Sequence, residues 1–185
     1  MRIAIFGGTF NPVHSAHLAM ARAAADQCAL DRVLFIPAGN PPHKDVNTPY
    51  DHRLPMVELA CAADPRFIAS RLEEGSAKSY SIDTIEKIHS HEPAAELFFL
   101  IGSDAFEELR TWRRWQDVVR AVEFIVIARP GHAILNIPGA RVHRVEMPES
   151  AVSSSEIRGA VAAGQTSGDL PSPVAAYIAK HGLYR

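Results

Sequence analysis

Cysteine is scarce in this chain of 185 residues, charge of one sign is not in excess, and no apolar run is long. Each absence removes a class of protein. The two cysteines, Cys28 and Cys61, lie within helical patterns and lack metal-type spacing. They read as buried thiols of a reducing compartment, with a structural pair as the alternative. Nineteen basic residues face 21 acidic ones, so no basic field suits a nucleic-acid backbone or an anionic membrane. After Met1-Arg2 the apolar run ends at Phe6, too short for a signal sequence. No stretch reaches the roughly 20 apolar residues of a membrane span. The chain reads as cytoplasmic, with no nucleic-acid or membrane partner, and the composition leaves a homo-oligomer open. Neither G-x-G-x-x-G nor G-x-x-x-x-G-K-[ST] occurs, which sets aside the dinucleotide fingerprint and the Walker A loop.

What the chain does have is alternation. Apolar segments at 2–6, 32–36, 66–70, 96–101, 123–128 and 141–145 read as strands, several of them apolar throughout, as expected of a parallel sheet covered on both faces. Helical patterns occupy 17–28, 50–63, 81–91 and 112–121. Thr48 is the expected N-cap before Pro49, although Pro55 within the same segment weighs against an unbroken helix. The pattern predicts an α/β fold: a Rossmann-like, doubly wound parallel sheet with helices on both faces. Residues 1–185 form one domain, whose helical C-terminal part covers about 151–185. The 13-residue stretch 37–49 is the longest irregular one, and loops of that length are often functional.

Chemistry concentrates at two junctions. The first is GGTFNPVHSAH, 7–17, which falls where the first strand meets the first helix, at the carboxyl edge of the sheet where such folds bind ligands. Gly7 and Gly8 permit a tight turn and close ligand approach, and N–H groups at the following helix start suit phosphate. His14 and His17 project from one side of a first helical turn. A packed or surface pair and a zinc site are the competing readings. Zinc would need further ligands that no C-x-x-C or H-E-x-x-H supplies, and the position beside the glycine turn favours phosphate, whose charge promotes the imidazolium form. The second junction is AVSSSEIRGAVAAG, 151–164. Ser153 with Glu156 fits a capping box, Gly164 a stop, and Ser154, Ser155 and Arg158 are suited to a polyphosphate. Taken alone it would read as an ordinary capped helix.

Together these stretches resemble the nucleotidyltransferase superfamily, marked by (G/T)-x-F-(D/N)-P-x-H-x-G-H and a late (I/V)-S-S-(T/S)-x-(I/V)-R. Within it the chain is similar to the bacterial nicotinate-nucleotide adenylyltransferases. The segments 37–44 (PAGNPPHK), 79–88, 101–112 (IGSDAFEELRTW), 127–131 and 177–185 follow in that family's order. Ala16 replaces a usual glycine, Asn11 a common aspartate and Ser155 a usual threonine. The resemblance implies adenylyl transfer from ATP to nicotinate mononucleotide, yielding nicotinate adenine dinucleotide and pyrophosphate in NAD biosynthesis. It assigns Gly7, Gly8, Thr9, Phe10, His14, His17, Gly102, Asp104, Arg129, Ser154, Ser155 and Arg158 to ATP, with His14, His17 and Arg158 as the catalytic set. Asn40, His43, Lys44, Thr84 and Trp112 fall to the nicotinate nucleotide, Trp112 stacking on the pyridine ring and backbone near Thr84 meeting the carboxylate. Mg²⁺ would be carried mainly by the ATP phosphates, with no protein metal site. A phosphopantetheine adenylyltransferase, an enzyme of the nicotinamide nucleotide and a catalytically silent nucleotide-binding module are the alternatives.

Overall fold

The computed structural model describes residues 1–41, 46–128, 133–147 and 152–185. Six strands form one sheet: β1 (Arg2–Gly8), β2 (Arg32–Pro37), β3 (Phe67–Ala69), β4 (Glu96–Gly102), β5 (Glu123–Ala128) and β6 (Val142–Glu146). Their order is β3-β2-β1-β4-β5-β6 and every pair is parallel. The expected doubly wound sheet is therefore the observed one.

Strand periodicity explains the two faces. Successive side chains point to opposite sides, so β1 sends Ala4 and Phe6 to one core and Ile3 and Ile5 to the other. β4 divides likewise, with Phe98 and Leu100 against Leu97, Phe99 and Ile101. On the first face lie α1 (Ser15–Gln27), α2 (Tyr50–Cys61) and α7 (Ser172–His181). Buried Ala21, Ala24 and Ala25 let α1 approach the sheet closely. The second face carries α3 (Ser81–His91), α4 (Ser103–Glu107), a 3-10 turn (Leu109–Thr111) and α5 (Trp115–Ala121). In α3 the buried residues Ile82, Ile85 and Ile88 recur at helical spacing. The remaining helix, α6 (Ser154–Ala162), buries Ile157 and packs Val161 on the first core.

Cys28 and Cys61 are buried free thiols; burial, with Glu58 adding to it, pushes Cys61 up to about 12. Three local expectations need correction. Pro49, not Thr48, is the N-cap of α2, with no side-chain cap, because the Thr48 carbonyl is turned to Arg53. Pro55 is accommodated within α2. The segment 112–121 is not one helix: Trp112 is extended, Arg114 has φ 52° in the left-handed region, and α5 begins only at Trp115. From that position the Arg114 side chain reaches Asp117 at 2.6 Å and Glu86 at 2.9 Å.

Candidate active site

Between β1 and β4 the strand order reverses, and the crevice at the carboxyl ends of those strands is where doubly wound sheets bind ligands. A cavity of about 1000 Å³ occupies that place. Thr9, His14 and His17 line it from the β1–α1 junction, Gly102 and Asp104 from the end of β4, and Ser154, Ser155 and Arg158 from α6. The N-terminal turns of α1 and α6 thus open into one space, and both bring the positive end of a helix dipole to it.

The two sequence stretches are joined by hydrogen bonds. Arg158 Nη1 donates to the Asn11 carbonyl at 2.8 Å, and its Nη2 donates to Ser155 Oγ at 3.1 Å. Ser154 Oγ donates to the Pro12 carbonyl at 3.0 Å. Tyr184, near the C-terminus, donates to Asn11 Oδ1 at 2.7 Å. The α6 start itself is closed by the expected capping box, Ser153 Oγ accepting from the Glu156 N–H at 3.2 Å while Glu156 accepts from the Ser153 N–H at 3.0 Å. Gly164 follows the helix at φ 73°, suited to a residue without Cβ.

The histidines are packed ring to ring, 3.8 Å between centroids. His14 is the N-cap of α1 and is buried, and its Nδ1 lacks a partner among the described residues. Its backbone N–H donates to His17 Nδ1 at 3.2 Å, which places the proton of a neutral His17 on Nε2. Phe10 closes on His17 edge-on at 5.1 Å. Burial, reinforced by His14, lowers His17 to about 3; burial lowers His14 to about 4 against the opposing pull of Asp169. With those values both rings are neutral at pH 7, and a neighbouring anion is what would favour the imidazolium form.

Other assigned residues fall elsewhere. Phe10 is 2% exposed and packs against Phe6 and Phe35, so any ligand contact it makes comes from the main chain. It holds φ 46°, and a Cβ on Gly8 would stand 3.1 Å from its ring; the glycine makes room for that aromatic. Gly7 and Gly8 end β1. Asn40, Thr84 and Trp112 do not line the cavity. Thr84, on α3, and Trp112 belong to the second face, and Asn40 is tied to the segment leading into α3. Asn40 Nδ2 donates to the Ala77 carbonyl at 2.6 Å, and its N–H donates to Ser79 Oγ at 3.0 Å. Thr84 is buried and donates to Glu73 Oε1 at 2.6 Å. Trp112 meets the Phe99 ring edge-on at 5.4 Å, beside Arg113 over the Tyr80 ring at 4.7 Å. His43, Lys44 and Arg129 lie outside the described residues.

Sequence reasoning missed two residues. Asp169 lines the cavity and takes the Ser15 N–H on its carbonyl at 2.8 Å, pinning the segment before α7 to the start of α1. Arg53, 2% exposed, reaches the carbonyl of Thr9 from α2. Backbone acceptors leave no trace in sequence spacing, so neither contact had a signal to find.

A parallel sheet with its ligand crevice at the switch point, two helix starts and paired histidines define a nucleotidyltransferase of the α/β class. Residues 5–160 match the model of the cytidylyltransferase-like family. A Solibacter usitatus protein described as "probable nicotinate-nucleotide adenylyltransferase" is 56% identical over 187 residues, covering 100% of both chains. A Thermus thermophilus protein of the same description is 41% identical over 187 residues, again covering 100% of both. The chain belongs to the nicotinate-nucleotide adenylyltransferases within that wider family. Its fold is also that of the Plasmodium falciparum nicotinic acid mononucleotide adenylyltransferase solved with NaAD, at TM-score 0.83 and 19% identity, over 99% of this chain and 97% of that one.

Proposed function

We propose that the chain joins the adenylyl group of ATP to nicotinate mononucleotide, releasing pyrophosphate and forming nicotinate adenine dinucleotide, a step of NAD biosynthesis. The observation that carries this reading is the meeting of His14 and His17 with Ser154 and Arg158 in one cavity at the sheet's switch point. Full-length kinship with nicotinate-nucleotide adenylyltransferases supports the acceptor.

The acceptor's 5′-phosphate oxygen forms a bond to the α-phosphorus of ATP, and the bond from that phosphorus to the bridging oxygen of pyrophosphate breaks. A phosphate monoester has its second pKa at about 6, so the nucleophile is already ionised at neutral pH and needs no general base. What remains is to align two anions and stabilise charge as it develops. Thr9, His14 and His17 take the α-phosphate, with Nε2–H of His17 as a donor; Ser154, Ser155 and Arg158 take the β- and γ-phosphates. Gly102 and Asp104, which line the cavity at the end of β4, meet the ribose. Asn40, Thr84 and Trp112 receive the pyridine nucleotide, with Trp112 as the stacking surface. Asp104 and Asp169 are the carboxylates of the described lining, and no group of three acids, histidines or cysteines forms a metal cluster among the described residues. That donor set suits Mg²⁺ held chiefly by phosphate oxygens and water, where it would neutralise part of the triphosphate charge. We place the reaction in the cytoplasm; among the described residues no helix is long and apolar enough to cross a membrane.

Purified protein given ATP, Mg²⁺ and one of three acceptors tests the reading by pyrophosphate release. Nicotinate mononucleotide is expected to be preferred over nicotinamide mononucleotide, since donors aimed at a carboxylate would face an amide –NH₂ at a cost of about 1–3 kcal/mol for each group left unpaired. Preference for phosphopantetheine, or ATP binding without turnover on any acceptor, would overturn it.

A further inference from the structure

Arg53 sits in the first turn of α2 with its guanidinium enclosed. Its Nε donates to the Thr48 carbonyl at 3.1 Å, Nη1 to that of Thr9 at 2.8 Å and Nη2 to that of Ala38 at 2.7 Å. The Tyr50 ring lies 5.5 Å from its central carbon. Among the described residues no carboxylate comes within salt-bridge distance of it, and burial lowers its pKa, opposed by the fields of Tyr50, Tyr184 and Glu73. A buried cation satisfied by neutral carbonyls is a costly way to fill space that a leucine or methionine would fill at less expense. Its geometry accounts for its presence, because a planar fork can hold three separate backbone carbonyls at fixed spacing where an aliphatic side chain or a point charge cannot.

Of the three, Thr9 lines the cavity, while Ala38 and Thr48 bound the β2–α2 loop at its two ends. Thr9 belongs to the β1–α1 turn that leads to His14 and His17. Ala38 opens the β2–α2 loop that carries Asn40, and its N–H continues the sheet ladder to the Gly8 carbonyl at 2.8 Å. Next to it Gly39 lies so close to the Glu73 carbonyl that an added Cβ would stand 2.0 Å away. One guanidinium therefore spans the triphosphate-side turn and the acceptor-side loop. We propose that Arg53 is a positioning residue for adenylyl transfer, fixing the separation between the segment that holds the α-phosphate and the loop that holds the attacking nucleotide. The inference rests on the adenylyl-transfer reading for its consequence, not for its geometry.

The test uses the full chain with Arg53→Lys and Arg53→Ala and three readouts. In Arg53→Lys, whose ammonium keeps charge but loses the fork, backbone-amide hydrogen exchange at Ala38 is expected to accelerate about ten-fold or more while Ile88 in α3 stays protected. With ATP and nicotinate mononucleotide, kcat/KM is expected to fall about 10²-fold for both substrates, the scale of an ångström-sized misplacement, in protein shown to be folded at the assay temperature. Added methylguanidinium ion should restore activity to Arg53→Ala and leave the lysine variant unchanged. Should Arg53→Ala not fold, the exchange and kinetics of Arg53→Lys decide alone. Wild-type kcat and KM in Arg53→Lys, or an equal rise of exchange in α3 and at Ala38, would overturn the proposal. Failure of wild-type protein to use nicotinate mononucleotide would count against the substrate reading instead, and the exchange comparison would still judge the clamp.

Discussion

Acid should destabilise this protein through its paired histidines before its carboxylates are reached. A histidine titrates at about 6.5 in the unfolded chain, whereas burial holds His17 at about 3 and His14 at about 4 in the folded one. A pKa depressed by folding contributes stability that is complete above the unfolded value and is lost as pH falls toward the folded value, because the unfolded state binds the proton first. The window therefore runs from about 6.5 down to about 4 or 3. Between pH 7.5 and 5.0 the unfolded chain gains nearly a full proton at position 17 and the folded chain gains almost none, which comes to about 2 kcal/mol of stability. His17→Gln keeps a polar side chain of similar length and removes the titration. Urea unfolding at both pH values should show wild type losing about 2 kcal/mol more than the variant. Identical pH dependence in the two proteins would mean that His17 titrates like an exposed histidine, and the packed, neutral pair would be refuted.

Other perturbations follow from single contacts. Gly39→Ala places a Cβ 2.0 Å from the Glu73 carbonyl, so the two loops must separate; thermal melting should report a loss of about 1–3 kcal/mol, and an unshifted midpoint would refute the close approach. Arg158→Lys removes a fork already aimed by Asn11 and Ser155, and steady-state kinetics should show kcat/KM for ATP dropping about ten-fold or more while the acceptor KM moves less; equal effects would place Arg158 away from the triphosphate. Trp112→Ala should raise the KM for nicotinate mononucleotide roughly five- to ten-fold and the KM for ATP less, the scale of one lost aromatic stack; a larger effect on ATP would contradict the acceptor assignment.

Much of the fold was legible because burial on both faces writes itself into sequence. β1, β4 and β5 are apolar runs whose alternate residues serve two cores, and α3 shows its buried isoleucines at helical spacing. α4 escaped notice: it has five residues and buries only Phe106, too little for periodicity to register. Trp112 to Ala121 misled because nothing in R-R-W marks Arg114 for the left-handed region, where its side chain pairs with Asp117 and Glu86. The cavity at the switch point was readable from its histidines, serines and arginine, which the fold brings together at two helix starts. Phe10 was not, since its motif position gave no sign that Gly8 would admit the ring to the core. Arg53 was hidden for a different reason: its acceptors are carbonyls, present at every position and distinguished only by the fold.

A crystal structure of the protein with Mg²⁺ and a non-hydrolysable ATP analogue asks whether the two distant motifs hold one triphosphate. The expected result is a triphosphate in the cavity between α1 and α6, with His17 Nε2 about 3 Å from an α-phosphate oxygen and Arg158 bonded to the β- or γ-phosphate. A triphosphate seated elsewhere on the sheet, or one lying in the cavity while both histidines and Arg158 keep away from its oxygens, would contradict it.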